Sequence, residues 1–258
     1  MEAIELFGIT IHNVTMAEAV EGVRRLLAGD GKHILVTPNV DHIVRLSRDA
    51  EFADAYRRAS VVLADGMPVV WGSRWLGRPL KERVTGSDLV PLVCGLAAEG
   101  GYSVYFLGAM PGVAEAAIGN LKRRFPNLRV AGCYSPPFGF ERDDAENRAI
   151  IERLNAARPD ILFLGLGPAK QEKWIARHVD VLNIRLALCI GAGIDFAAGS
   201  LSRAPVWMQR AGLEWLYRLL REPQRLWRRY LIEDTAFAGI LWRERGRLRA
   251  AHVSTHVE

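Results

Sequence analysis

Residues 60–68, SVVLADGMP, carry an apolar run (61–64) that ends on the carboxylate of Asp65 and is followed by Gly66 and Pro68. A carboxylate fixed at the tip of a buried strand can take a proton from a substrate hydroxyl as a general base. It can equally cap a helix, and residues 67–76 have helical character. Thr37 and Asn39, on either side of Pro38, allow the same two readings, as pocket residues or as turn and N-cap residues. Two glycine-rich loops offer other chemistry. GLGPAKQEKW (165–174) leads from a strand into a helix, with Pro168 expected at the first helical position and free N–H groups suited to a phosphate. Lys170, Gln171, Glu172 and Lys173 gather polar groups at its mouth. GAGIDF (191–196) is the second loop. Neither completes G-x-G-x-x-G, because the sixth positions are Lys170 and Phe196, so a tight strand-to-helix turn competes with a ligand loop in both.

Several chemistries lack their residues. The six histidines show no HExxH, their one HxxxH spacing is His252 and His256 at the end of the sequence, and no D-x-D occurs, so no metal site is expected; Asp143-Asp144 reads as the acidic first turn of a helix. There is no G-x-S-x-G, and Cys94, Cys133 and Cys189 sit far apart in apolar stretches, as reduced core thiols of a cytosolic protein do. Any diphosphate in the site must therefore be met by other cations, and arginine has the matching planar fork.

Short β-branched or aromatic runs must hold these groups: 33–36, 60–64, 102–107, 128–133, 160–164 and 186–190, most followed by helical patterns such as 114–125 and 145–157. Near-continuous apolar strands alternating with helices predict an α/β, Rossmann-like, mostly parallel sheet sandwiched by helices over residues 1–200. Ligands in such sheets bind beyond the carboxyl ends of the strands. Those ends carry Thr37 and Asn39, Asp65, Gly108, Gly165 to Pro168, and Gly191 to Asp195.

After residue 200 the chain changes character. From Arg203 to Arg249 there are eleven arginines against five acids, a net of +6 in a chain of net +5, so the remaining residues together carry −1. Trp207, Trp215, Trp227 and Trp242 also lie there. Pro205 predicts a helix to about residue 221 and Pro223 a second to about 243, with Arg218, Arg221, Arg225 and Arg228 at helical spacing. This C-terminal helical basic and aromatic appendage (201–245), with a flexible tail expected over 246–258, admits three roles: a nucleic-acid arm, a packing extension, or an element lying on an anionic membrane surface. The last combines interfacial Trp with Arg. The N-terminus lacks the pattern of a signal peptide, and apolar runs stop near ten residues, short of the roughly 18 needed to span a bilayer.

Taken together, TPNVDHIV (37–44), ADGMPVVW (64–71), RVTGSDL (83–89), FLG (106–108), GLGPAKQEKW (165–174), GAGIDFAAG (191–199) and RAPVWMQRAGLEWLYRLLREPQRLWRRY (203–230) resemble the WecG/TagA/CpsF glycosyltransferases over nearly the whole chain. The resemblance implies an inverting, metal-independent, cofactor-free enzyme. It would move a hexose, N-acetylmannosamine or its uronic acid foremost, from a UDP-sugar to a polyprenyl-diphosphate-linked sugar in bacterial cell-surface polysaccharide or teichoic acid synthesis. It implies Asp65 as base and Arg83 as its catalytic neighbour. Thr37, Asn39, Gln171, Arg218, Arg225 and Arg228 become substrate-binding positions, and Gly108, Gly167 and Asp195 nucleotide-binding ones. The partners would be the UDP-sugar, the lipid-linked acceptor and the inner face of the cytoplasmic membrane, with no nucleic acid and room for a homo-oligomer. Three alternatives accompany this reading: a UDP-glucose-dependent β-glucosyltransferase of exopolysaccharide assembly, a nicotinamide-dependent oxidoreductase, and a non-catalytic membrane- or nucleic-acid-binding module.

Overall fold

A computed structural model describes the backbone of residues 1–254 and the side chains of 1–250 other than Arg210 and Arg225. The chain opens with a hairpin, β1 (Ala3–Leu6) and β2 (Ile9–His12), joined by Phe7 and Gly8, both at positive φ. The elements then follow as α1 (Met16–Ala28), β3 (His33–Val36), α2 (Val40–Leu46), α3 (Ala50–Arg57), β4 (Val61–Val62), α4 (Met67–Trp75), α5 (Gly86–Gly100), β5 (Ser103–Gly108), α6 (Val113–Arg124), β6 (Arg129–Tyr134), α7 (Asp144–Ala157), β7 (Ile161–Gly165), α8 (Lys170–His178), β8 (Leu186–Cys189) and α9 (Gly193–Ala198). Strands β3 to β8 form one parallel sheet in the order β4-β3-β8-β7-β5-β6.

The apolar runs are continuous because both faces of the sheet are covered. Ile34, Val36, Leu107, Leu162, Leu164 and Ala187 point into one core with α3, α7 and α8. Their neighbours Leu35, Phe106, Phe163 and Leu188 point into the other, with α1, α5 and α6. All six strands are parallel, so their carboxyl ends share one edge of the sheet, and β3 and β4 are neighbours there, which brings Thr37 and Asn39 beside Asp65.

The expected strand over 60–64 is regular only at Val61–Val62, but its backbone keeps following β3, with Leu63 N–H donating to Val36 C=O and Asp65 N–H to Pro38 C=O, each at 2.9 Å. Its outer edge is closed by His12, whose Nδ1 accepts from Val62 N–H at 3.1 Å.

The appendage is more broken than its sequence predicts. The first expected helix is α10 (Val206–Arg210) and α11 (Glu214–Arg221), parted at Gly212 with φ 71°. Only glycine fits there, since a Cβ would lie 2.5 Å from the ring of Trp71. The second expected helix ends early: α12 (Pro223–Arg228) runs into a π-helical turn, Arg229–Glu233, before α13 (Ala236–Ser254) begins. Helix α13 passes through residues 246–254, where a flexible tail was expected; 255–258 lie outside the described residues. It is seated on the amino-terminal hairpin, with Phe237 5.5 Å from Phe7 between ring centroids and the buried Glu244 accepting from Phe7 N–H at 3.2 Å. Among the described residues, no helix is long and apolar enough to cross a membrane.

Candidate active site

Two adjoining chambers lie over the carboxyl edge of the sheet. The larger, about 640 Å³, is walled by the strand-end loops, including Thr37, Gly108, Gly167, Gln171 and Asp195. The smaller, about 310 Å³, lies between α4 and the appendage and includes Met67, Arg83, Glu214, Trp215 and Tyr230. Asn39, Asp65, Arg218 and Arg229 line both. Asp65 thus stands where the chambers meet.

The backbone removes the capping reading of Asp65. Gly66 is the N-cap of α4, with φ 100° and no side-chain cap. The carboxylate is therefore not spent on the helix. It contributes to the chamber wall, yet protein surrounds it closely enough that burial raises its pKa to about 7. Arg83 and Arg218 oppose that shift, while Glu214 and Asp88 reinforce it. A carboxyl near neutrality suits a base that must take up a proton and release it again.

Asn39 does cap a helix. Its Oδ1 accepts from His42 N–H at 3.2 Å to start α2, and also from Arg229 at 3.3 Å. Thr37 is 6% exposed, with Oγ1 donating to Cys189 C=O at 3.4 Å across the β3–β8 junction. Gln171 is braced at both ends: Nε2 donates to Glu172 Oε1 at 2.7 Å, and Oε1 accepts from Gly191 N–H at 3.2 Å. It ties one glycine loop to the other. Glu172 beneath it is buried and raised to about 7 by desolvation.

The expectation that Pro168 opens α8 is not met. The helix starts at Lys170, after Ala169 at φ 63°, so the loop makes one more turn before the helix begins. Gly108, with φ 118°, brings β5 so close to β7 that a Cβ would lie 2.4 Å from Gly165 C=O. That close approach shapes the floor of the larger chamber. On its rim, the exposed Phe138 lies under Lys170, whose Nζ is 4.9 Å from the ring centroid and 2.7 Å from Glu141.

Arg83 is held by an ion-pair knot between core and appendage. It bonds Glu214 at 2.7 Å and lies 3.8 Å from Asp88, while Arg203 bonds Glu214 at 3.1 Å and also reaches Asp88. Of the appendage arginines, Arg218 is in both chamber walls, and Arg228 borders the larger one with its side chain 75% exposed, 3.5 Å from Glu233. The side chain of Arg225 lies outside the described residues. Among the described residues, no group of three His, Cys, Asp or Glu could hold a metal ion.

Sequence reading missed Glu214, Arg229, Asp41 and Asp234. Arg229 is the inward cation of the Arg228-Arg229 pair, and helical spacing could not choose between them because the π turn begins at Arg229. Asp41, within TPNVDHIV, is buried against Arg45 at 3.0 Å, and an acid so close to a helix start passes for an ordinary first-turn charge.

The glycosyl transferase WecG/TagA/CpsF family matches residues 4–251. N-acetylglucosaminyldiphosphoundecaprenol N-acetyl-beta-D-mannosaminyltransferases of Staphylococcus aureus strains MRSA252, MW2 and NCTC 8325 / PS 47 are each 29% identical to it over 227 residues, covering 87% of both chains. With the match spanning core and appendage alike, the chain belongs to the WecG/TagA/CpsF family and is a glycosyltransferase.

Proposed function

We propose that the protein transfers a hexose of the N-acetylmannosamine type from a UDP-sugar to a sugar carried on a polyprenyl diphosphate, by a single inverting displacement with Asp65 as base. The observation that carries this reading is the position of Asp65 at the junction of two chambers, with its carboxyl poised near neutrality. The acceptor hydroxyl oxygen attacks the anomeric carbon as the bond to UDP breaks. Its proton passes to Asp65, and the bonding pair leaves on the diphosphate. General-base assistance of this kind contributes about 10²–10⁴-fold. The departing charge falls to Arg218 and Arg229, at the same junction, without need of a metal.

The larger chamber, with its glycine loops, suits the nucleotide, with Gly108, Gly167 and Asp195 in its wall. The smaller one, roofed by the appendage, suits the acceptor. Residues 1–200 serve as the catalytic core and 201–245 as the part that meets the membrane at its cytoplasmic face. Exposed Trp207, Leu220, Trp227, Leu231, Ile232 and Trp242 among the arginines fit an interfacial position. The names of the staphylococcal relatives support the choice of donor sugar and lipid-linked acceptor.

The test is a transfer assay with UDP-N-acetylmannosamine, its uronic acid and UDP-glucose, against polyprenyl-diphosphate-linked N-acetylglucosamine, with EDTA present. EDTA-resistant transfer from the first donor with inversion at the anomeric carbon is expected. Retention of configuration, or transfer that stops in EDTA, overturns the mechanism; transfer from UDP-glucose alone overturns the donor.

A further inference from the structure

The smaller chamber has buried polar atoms in its wall that make no hydrogen bond among the described residues. Asp41 is 2% exposed; its Oδ1 meets Arg45, while Oδ2 lies 3.5 Å from Arg229 and accepts no hydrogen bond among the described residues. Arg229 Nε and Asp234 Oδ1 are likewise buried without hydrogen-bond partners. All three residues belong to the wall of this chamber. A buried group left unpaired costs about 1–3 kcal/mol, more when charged, so three gathered around one cavity imply a ligand that completes them.

The remaining walls narrow the chemistry of that ligand. Trp215 and Tyr230 meet edge to face at 6.2 Å between centroids, and Phe237 adds a third aromatic surface. Four carboxylates, Asp41, Asp65, Glu214 and Asp234, outnumber the three guanidinium groups of Arg83, Arg218 and Arg229 in the wall, a balance that disfavours a phosphate. A prenyl chain would fill the aromatic side but leave the polar atoms unpaired, and about 310 Å³ is at the small end of the roughly 300–1,000 Å³ range of ligand pockets, tight for a nucleotide. A sugar ring satisfies every wall. Its hydroxyls donate to carboxylates and accept from a guanidinium, and its C–H faces lie against aromatic rings.

We propose that this chamber is the subsite for the sugar ring of the acceptor, with Asp41, Asp234 and Arg229 hydrogen-bonding its hydroxyls and Trp215 and Tyr230 against its faces. The assignment rests on the two-substrate reading above. It also divides recognition between core and appendage. Asp41 belongs to α2, whereas Asp234, Arg229, Trp215 and Tyr230 all come from the appendage, so acceptor selectivity exists only when the appendage is docked. Burial and the nearby Asp41 and Glu233 raise Asp234 to about 6 against the pull of Arg229 and Arg45, as expected of an acid that lacks a donor.

Calorimetric titration of the full chain with N-acetylglucosamine diphosphate on a short alkyl chain tests this, alongside UDP. Asp234→Asn and Asp41→Asn are expected to weaken the acceptor analogue about tenfold each, one good hydrogen bond's worth, and UDP less than about twofold. Analogues lacking one ring hydroxyl should lose about as much on the unmodified protein. Combined with the matching substitution they should lose little more, since the two changes remove the same bond. Because the analogues use unmodified protein, the result survives a variant that fails to fold. Substitutions that weaken UDP as strongly as the acceptor, hydroxyl deletions that change nothing, or no binding of the analogue at all would each overturn the subsite. Transfer is measured in parallel. Binding with the expected sensitivities but no transfer from any donor keeps the subsite and rejects the transferase mechanism; transfer with indifferent affinities does the reverse.

Discussion

The two walls of the cleft are held by different forces. On the core side, Thr37, Gln171 and the glycine loops stand on parallel strands whose apolar side chains are buried on both faces, and backbone or amide hydrogen bonds lock their orientation. On the appendage side, short interrupted helices expose Trp207 and Trp227 and are tied down by Arg83, Arg203, Glu214 and Asp88, and by Arg229 on Asp41. Burial is indifferent to salt and to nearby surfaces, whereas ion pairs are not. The core wall is therefore ready-made and the appendage wall conditional.

The largest break in this comparison lies at Asp65. Asp65→Asn should lower turnover about 10³-fold while leaving the core wall intact. Its effect on stability should have the opposite sign. Because the folded-state pKa is raised, the stability contributed by the protonated acid is present below about pH 4 and is lost as pH rises to about 7. The variant is spared that loss, so its thermal midpoint relative to wild type should climb between pH 4 and 7 and then level off. Paired turnover and melting measurements decide it, and a variant that melts lower at pH 8 would make Asp65 structural.

The pH–rate profile sharpens the same point. Log kcat/KM should rise with unit slope, tenfold per pH unit, up to about pH 7 and then flatten. A rise centred near pH 4 would place the base in an ordinary solvated setting.

Next comes the knot. Glu214→Gln leaves Arg83 and Arg203 short of a partner at a site where the Arg83 side chain is 16% exposed. Loss of one member of such a network costs about 3 kcal/mol, here against docking of the appendage rather than folding of the core. Hydrogen exchange should quicken in α11 and stay unchanged in β5 and β7, and KM for the lipid-linked acceptor should rise about tenfold. Equal loosening of both regions would mean that the two walls are one cooperative unit.

The smallest effect is expected at Glu172→Gln. This acid is buried and raised to about 7, so it too withdraws stability between about pH 4 and 7. Replacing it should raise the melting temperature above pH 7, by about 2–4 °C for each kcal/mol recovered. No gain at pH 8 would show that the ionised form is accommodated.

The same division explains what could be read in the sequence. Strands buried on both faces leave unbroken apolar runs, so β3, β5, β7 and β8 were legible to within a residue or two, and with them the edge that brings Thr37, Asn39 and Asp65 together. The hairpin was not. Its strands AIEL and ITIH are four residues each, and Phe7 sits at positive φ without the Asn-Gly or Asp-Gly signature of such turns. Appendage geometry escaped for a similar reason, since Gly212 and the π turn after Arg228 reset the helical phase on which any assignment of inward arginines depends. Asn39 was legible as a cap, and Asp65 was separable from one only through the φ of Gly66.

The clasp between Glu244 and the amide of Phe7 joins positions 237 residues apart. During synthesis at about 5–20 residues per second, the hairpin waits roughly 10–50 s for the helix that closes it. All six parallel strands are translated before that helix exists, so the strand-end wall of the cleft is made first and the appendage wall last. A ribosome that stalls in the appendage would release a chain with Phe7 and the face of α4 uncovered, which marks it for chaperones and proteases. Only a chain translated into α13 can hide those surfaces, and the clasp thereby ties completion of the appendage wall to survival of the polypeptide.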